Sequence, residues 1–210
     1  MSNRYYGPLH CGGYYHVFSR AVGDEKVFRD EENYQYFLDR LRHHISPVAA
    51  VLAYSLMPNH FHLLIRVREE KEVQAYFLLV KKISYNPQQH DLSDFVVERF
   101  GNCLNGYVQA FNKRYRRKGG LFMNRIRRNR AEETADILTF LFYIHKNAVH
   151  HGLEQQIGLW PYDSYRPLIS GDQAWLEREE VMALLDGKQG FIQFHRKLSV
   201  ANDYPTPNEL

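Results

Sequence analysis

Two histidines one residue apart open an apolar run at His60-Phe61-His62-Leu63-Leu64-Ile65. In an extended strand, residues i and i+2 project to one face about 7 Å apart, so both imidazoles can reach one ion while Phe61 turns to the opposite face. Two imidazoles alone do not define a metal centre, and a hydrogen-bonded pair beside a turn has the same spacing. Ligand type by itself selects zinc or another transition metal ahead of magnesium. A second set lies between Glu132 and His150. There Asp136, Thr139, Tyr143, Asn147 and His150 occupy the stripe opposite Ile137, Leu141, Ile144 and Ala148. Tyr143 and Asn147 stand four apart, which stacks a phenol over an amide oxygen one helical turn away. Tyr143 is one of 15 tyrosines, and spacing alone does not separate it from an ordinary amphipathic residue at a helix edge.

The charge pattern points to a polyanion. Lys113, Arg114, Arg116, Arg117, Lys118, Arg125, Arg127, Arg128 and Arg130 follow one another with no acidic residue between them. Removing these nine from the 27 lysines and arginines leaves 18 basic residues against 24 acidic ones. One segment therefore makes the chain basic, and a basic strip on an acidic body is the usual footprint of nucleic acid. A solvated charged face is the bland alternative.

These residues need elements to position them. Tyr14 to Arg20, rich in aromatic and β-favouring residues, reads as a strand. Asp30 then caps a helix on which Tyr34, Phe37, Leu38, Leu41 and Ile45 recur up to Ser46-Pro47. Val48 to Met57 and His60 to Val67 form a hairpin about Pro58-Asn59. A helical stretch near Val73 to Ile83 gives way to a loop at Asn86 to His90. Phe95 to Tyr115 is helical and ends in the basic run, Gly119-Gly120 stops it, and a short strand is expected around Leu121 to Arg127 before the helix Glu132 to His150. The order β-α-β-β-α-β-α predicts an α+β fold, a ferredoxin-like split β-α-β core with an antiparallel sheet carrying helices. Beyond Tyr165 the spacing predicts a short acidic helix over Trp175 to Leu185, another over Phe191 to Leu198, and a disordered tail from Asp203.

Composition excludes several classes. No apolar run approaches the roughly 20 residues that a membrane span requires, and the first residues lack a secretory pattern, so a cytoplasmic protein is expected. Cys11 and Cys103 are too few for a disulfide framework or a cysteine zinc site, and both are read as structural.

Taken in order, the motifs resemble a known family. Met57-Pro58-Asn59-His60-Phe61-His62 looks like the HUH motif of single-tyrosine transposases. Gly120-Leu121-Phe122, then Tyr143-Ile144-His145-Lys146-Asn147-Ala148-Val149 with Gly152, and finally Trp160-Pro161-Tyr162-Asp163-Ser164-Tyr165 resemble the later motifs of the REP-associated branch. Two departures stand out: Ala148 replaces the proline usual after the asparagine, and Glu69 to Ser93 is longer than a minimal member needs.

The resemblance implies that His60 and His62 bind a divalent metal, Mg2+ or Mn2+, with Asn147 as third ligand, and that Tyr143 is the nucleophile. It further implies cleavage and rejoining of single-stranded or hairpin DNA through a 5′-phosphotyrosine, in a nucleoid-associated setting, with monomer and homodimer both open. Residues 1–166 would form the transposase domain and 167–210 a helical C-terminal extension. The basic strip would hold backbone phosphates, while Arg4, Tyr5, Tyr6 and Tyr115 are candidates for contacts to the bases. Two rival functions share some of these features: a nucleic-acid-binding protein of the same fold without cleavage, and a zinc-dependent hydrolase built on the histidine pair.

Overall fold

The computed structural model describes residues 6–123 and 126–201. Arg4, Tyr5, Arg125 and the segment from Asp203 lie outside the described residues. The elements run β1 (Tyr14–Arg20), α1 (Glu31–His44), β2 (Ala49–Met57), β3 (His60–Val67), α2 (Glu70–Lys81), α3 (Leu92–Arg114), β4 (Arg127–Ala131) and α4 (Thr134–His150). Three helices follow: α5 (Tyr165–Ser170), α6 (Arg178–Ala183) and α7 (Gly187–Ala201). The sheet order is β2-β3-β1-β4 with every neighbour antiparallel, the ferredoxin-like arrangement expected from the element order.

Side-chain alternation explains why both sheet faces are covered. Phe61 points to the face where Phe37 of α1 and Tyr107 of α3 meet it and Phe122 in an aromatic cluster. His62 points to the other face, against α4. All nine residues of β2 are buried, as expected for a strand with helices on each side and a partner along both edges. Its outer edge is closed by the segment Trp160–Ser164. The Leu56 amide donates to the Tyr162 carbonyl, the Ser164 amide to the Tyr54 carbonyl, and the Trp160 indole to the Leu56 carbonyl, each at 2.9 Å. An edge so paired is no template for another strand.

Helix ends follow the expected chemistry. Asp30 accepts from the Asn33 amide at the start of α1, and Asp91 from the amides of Ser93 and Asp94 at the start of α3. Glu133 and Asp136 form a reciprocal capping box at the start of α4.

The fourth strand corrects the sequence expectation. Leu121 and Phe122 are both buried, but the pairing of the fourth strand with β1 runs only from Arg127 to Ala131. Phe122 instead plugs the aromatic cluster, touching the sheet through one bridge to Ala21. The strand starts later, at Arg127, where a charged sequence suits a sheet edge. The C-terminal helices return to the core. Leu168, Val181 and Phe191 are fully buried within it, and Arg66 of β3 holds Glu180 of α6 with two N–H groups at 2.9 Å.

Candidate active site

β3 starts immediately after the Pro58-Asn59 turn, so His60 and His62 sit at its first and third positions facing α4. The Nε2 atom of His60 lies 2.9 Å from Asn147 Oδ1, and its Nδ1 lies 2.7 Å from Asn59 Oδ1. His62 is buried; its Nδ1 lies 2.9 Å from Nε2 of His16 on β1. Tyr143, one turn before Asn147, stands edge-on to the His62 ring at 5.6 Å and to the His16 ring at 5.9 Å. Residues that the sequence places far apart thus meet on one face of the sheet.

Burial sets the protonation states. It pushes His60 down to about 4 from 6.5, against the opposing effect of a hydrogen bond to the Asn147 oxygen. Burial also holds His62 well below its ordinary value, assisted by the neighbouring His16 and His60 rings, and lowers His16 to about 3. Neutral imidazoles keep a lone pair for a metal.

The proton count at His60 is informative. A neutral ring carries one N–H, yet His60 meets an amide oxygen at each nitrogen. With the proton on Nδ1 and given to Asn59, the Nε2 lone pair faces the Asn147 oxygen. A divalent cation bound here would take the Nε2 lone pair and the Asn147 oxygen as two donors. The Asn147 Nδ2 has no hydrogen-bond partner among the described residues, so this amide is not held from its other end. No group of three or more His, Cys, Asp and Glu is arranged to hold a metal among the described residues. The Asn147 amide oxygen lies beside the imidazole pair, where it could serve as a third donor. The donor set fits a divalent ion held by His60, His62 and Asn147.

Sequence reasoning missed three neighbours. His16 orients His62, Asn59 orients His60, and His151, the C-cap of α4, puts its ring 4.8 Å from that of His60. His16 carried a faint signal, as a histidine between Tyr15 and Val17 in the first strand. His150-His151 just past Asn147 was another.

The basic strip divides. Arg114 pairs with Asp30 at 2.9 Å and also with Glu32; Arg117 pairs with Glu25 at 2.8 Å. Arg128 is buried and donates to the backbone carbonyls of Tyr6 and Gly7. Arg130 lies 3.5 Å from Glu132. Lys113, Arg116 and Lys118 are exposed at the end of α3. Arg127 is set apart by register: it pairs with Phe18, which pairs with His62, so all three project to the α4 face. Tyr115 is tied down, its hydroxyl donating to Asp30 at 2.6 Å and lying 3.0 Å from Asn33 Oδ1.

No described helix is long and apolar enough to cross a membrane, and Cys11 and Cys103 are both free thiols.

No family model matches the chain. A curated protein of Haemophilus influenzae, named as a candidate REP-associated tyrosine transposase, is 25% identical over 116 residues. The match covers 54% of this chain and spans 57% of that relative. A solved structure of a REP-associated tyrosine transposase bound to a REP hairpin superposes with a TM-score of 0.59. It covers 81% of this chain and 86% of the other at 15% identity, which is a likeness of fold. The resemblance carried by the motifs is thus met again in a sequence relative and in a fold.

Proposed function

We propose that this protein is a divalent-metal-dependent tyrosine transposase of the REP-associated kind, cleaving and rejoining one DNA strand beside a hairpin. The observation that carries the reading is the 2.9 Å approach of Asn147 Oδ1 to His60 Nε2 across 87 residues, with Tyr143 one turn earlier on the same helix. His60, His62 and Asn147 would hold Mg2+ or Mn2+; such an ion polarises a non-bridging phosphate oxygen as a Lewis acid when bound.

The Tyr143 oxygen attacks phosphorus and releases its proton, the bond from phosphorus to the 3′-oxygen breaks, and that oxygen leaves as a 3′-hydroxyl. One phosphoester replaces another, so the 5′-phosphotyrosine stores the bond for rejoining and no nucleotide triphosphate is needed. The rings of His16 and His62, packed T-shaped against it, orient the phenol ring. Tyr143 is only 5% exposed, which keeps hydrolytic water from the intermediate and requires this face to open for the incoming strand. Phosphate contacts would come from Arg127 at the site, from Arg130, and from Lys113, Arg116 and Lys118 at the end of α3, with Arg125 in the same strip. Arg114, Arg117 and Arg128 of that strip are engaged within the protein and would contribute less. We assign this chemistry to residues 1–166, with 167–210 as an extension packed back on it, in a cytoplasmic, nucleoid-associated protein.

Incubation with a labelled hairpin oligonucleotide bearing a single-stranded flank, in Mg2+ or Mn2+, should yield an adduct that survives denaturation. Tyr143→Phe keeps the packing ring, so the fold and metal binding persist while the adduct disappears. Peptide mapping of the adduct to Tyr115, or to any tyrosine but Tyr143, overturns the assignment.

A further inference from the structure

Behind α4, away from the histidine pair, lies a second polar chain. The Tyr54 amide donates to Ser164 Oγ at 2.9 Å, and Ser164 Oγ lies 2.9 Å from His145 Nε2. His145 Nδ1 lies 2.9 Å from His195 Nε2, and His195 Nδ1 lies 2.8 Å from the Phe191 carbonyl. The end of the chain fixes every proton in it. A carbonyl only accepts, so His195 carries its proton on Nδ1 and presents a bare Nε2. His145 must then donate from Nδ1 and accept at Nε2, from the Ser164 hydroxyl. Each group is satisfied by neutral rings, and such a network rigidifies what it joins. Burial holds both rings neutral, His145 well below its ordinary range and His195 down to about 4.

A serine, a histidine and a second histidine in line suggest a nucleophile relay, but burial rejects it. Ser164 is 0% exposed and His145 and His195 are 1% exposed, so no substrate reaches the hydroxyl. The rings of Phe142, Phe191, Phe194 and Tyr165 pack within 6 Å of His195 and close the site. What the chain does is mechanical. At 3.6 residues per turn, His145 points about 160–200° away from both Tyr143 and Asn147. The helix is therefore gripped from behind by α7 and by the segment that closes β2, while its front presents the phenol and the amide.

We propose that His195 is a positioning residue: through His145 it sets the rotation of α4 and thereby the placement of Tyr143 and Asn147 against the histidine pair. Its catalytic consequence rests on the reading of Tyr143 as nucleophile; the positioning itself does not. A displacement of about 1 Å at reacting groups costs on the order of 10²-fold in rate. The C-terminal helix is thus part of the catalytic apparatus although it contributes no reacting atom.

The test uses the full chain with 3-fluorotyrosine at position 143 and 15N-labelled histidine. Nitrogen shifts should show His145 and His195 protonated at Nδ1 and bare at Nε2; an Nε2–H tautomer at either ring overturns the chain. His195→Leu fills a similar volume but leaves the His145 N–H without its acceptor, and should move or broaden the fluorine resonance of Tyr143. His195→Gln keeps an acceptor for His145 and a donor for Phe191, and should restore it. A folded His195→Leu protein with an unmoved resonance overturns the proposal, and if that variant does not fold, the tautomers and the glutamine variant decide. With a hairpin oligonucleotide and Mn2+, His195→Leu should bind DNA as before and cleave roughly 10–100-fold more slowly. Equal cleavage overturns the proposal, whereas an unmodified protein that forms no adduct sinks the nuclease reading and leaves the fluorine result to judge the positioning.

Discussion

Nε2 of His16 lies 2.9 Å from Nδ1 of His62. If His62 gives its Nε2 to a metal, its proton sits on Nδ1 and is donated to His16, a contact that fixes tautomer and ring plane. His16→Leu should lower Mn2+ affinity by about 10–100-fold, read by titration calorimetry on folded protein, and an unchanged affinity would show the contact to be packing only. The pairing of His60 with His62 and of Tyr143 with Asn147 was legible because each relation is local, two apart on a strand and four apart on a helix, while the grouping of all four as one site rested on the family resemblance. His16 was not legible, because its relation to His62 exists only through the pairing of β1 with β3, where His16 lies opposite Leu64 and His62 opposite Phe18. Asn59 reads in the sequence as a turn residue, and its bond to His60 is a consequence of the turn geometry that the residue type does not announce.

At the scale of elements, β1, α1 and the β2-β3 hairpin were readable to within a residue or two, since each has a clear period and a clear stop. The sequence puts the fourth strand too early because Leu121 and Phe122 carry β propensity while tertiary packing claims both for the core. The helix α5 went unread; at six residues it is too short for a period to show. The basic run was legible as charge but not as surface, because Arg114 and Arg117 are taken up by acids placed by the start of α1 and the loop before it. A sharper prediction follows from that division. Replacing Lys113, Arg116 and Lys118 together by alanine should reduce the salt slope of single-strand binding by about 2, at roughly 0.7 per phosphate contact. Replacing Arg114 and Arg117 should change the slope less, since their charges are already balanced. Equal slopes for the triple variant and the parent, measured by fluorescence anisotropy across salt, would leave that face with no part in holding DNA.

For the whole molecule, the consequence of this architecture is a core that depends on neutral histidines. His16, His60, His62, His145 and His195 are all held below their ordinary value of 6.5 by burial. In the unfolded chain they titrate near 6.5, so below that pH unfolding takes up protons that the folded state refuses. Their contribution to stability is complete above pH 6.5 and is lost as pH falls toward about 4 for His60 and His195 and about 3 for His16. Asp163 works the other way: burial pushes its carboxyl up to about 7 from 3.8, so it favours the folded state as pH falls through that interval. That one carboxyl opposes the five imidazoles named here, and His44 and His151, also lowered by burial, add to their side, so the imidazoles win. The urea midpoint should therefore fall steeply between pH 7 and pH 5. Added Mn2+ should raise it at pH 7, because an ion that binds only the folded site adds its binding free energy to stability. That increment should vanish in His60→Ala and fade as pH drops, since protons compete for the same lone pairs. A midpoint that stays level from pH 7 to pH 5 would mean that these rings are hydrated in solution, and the sealed face between β3 and α4 would have to be abandoned.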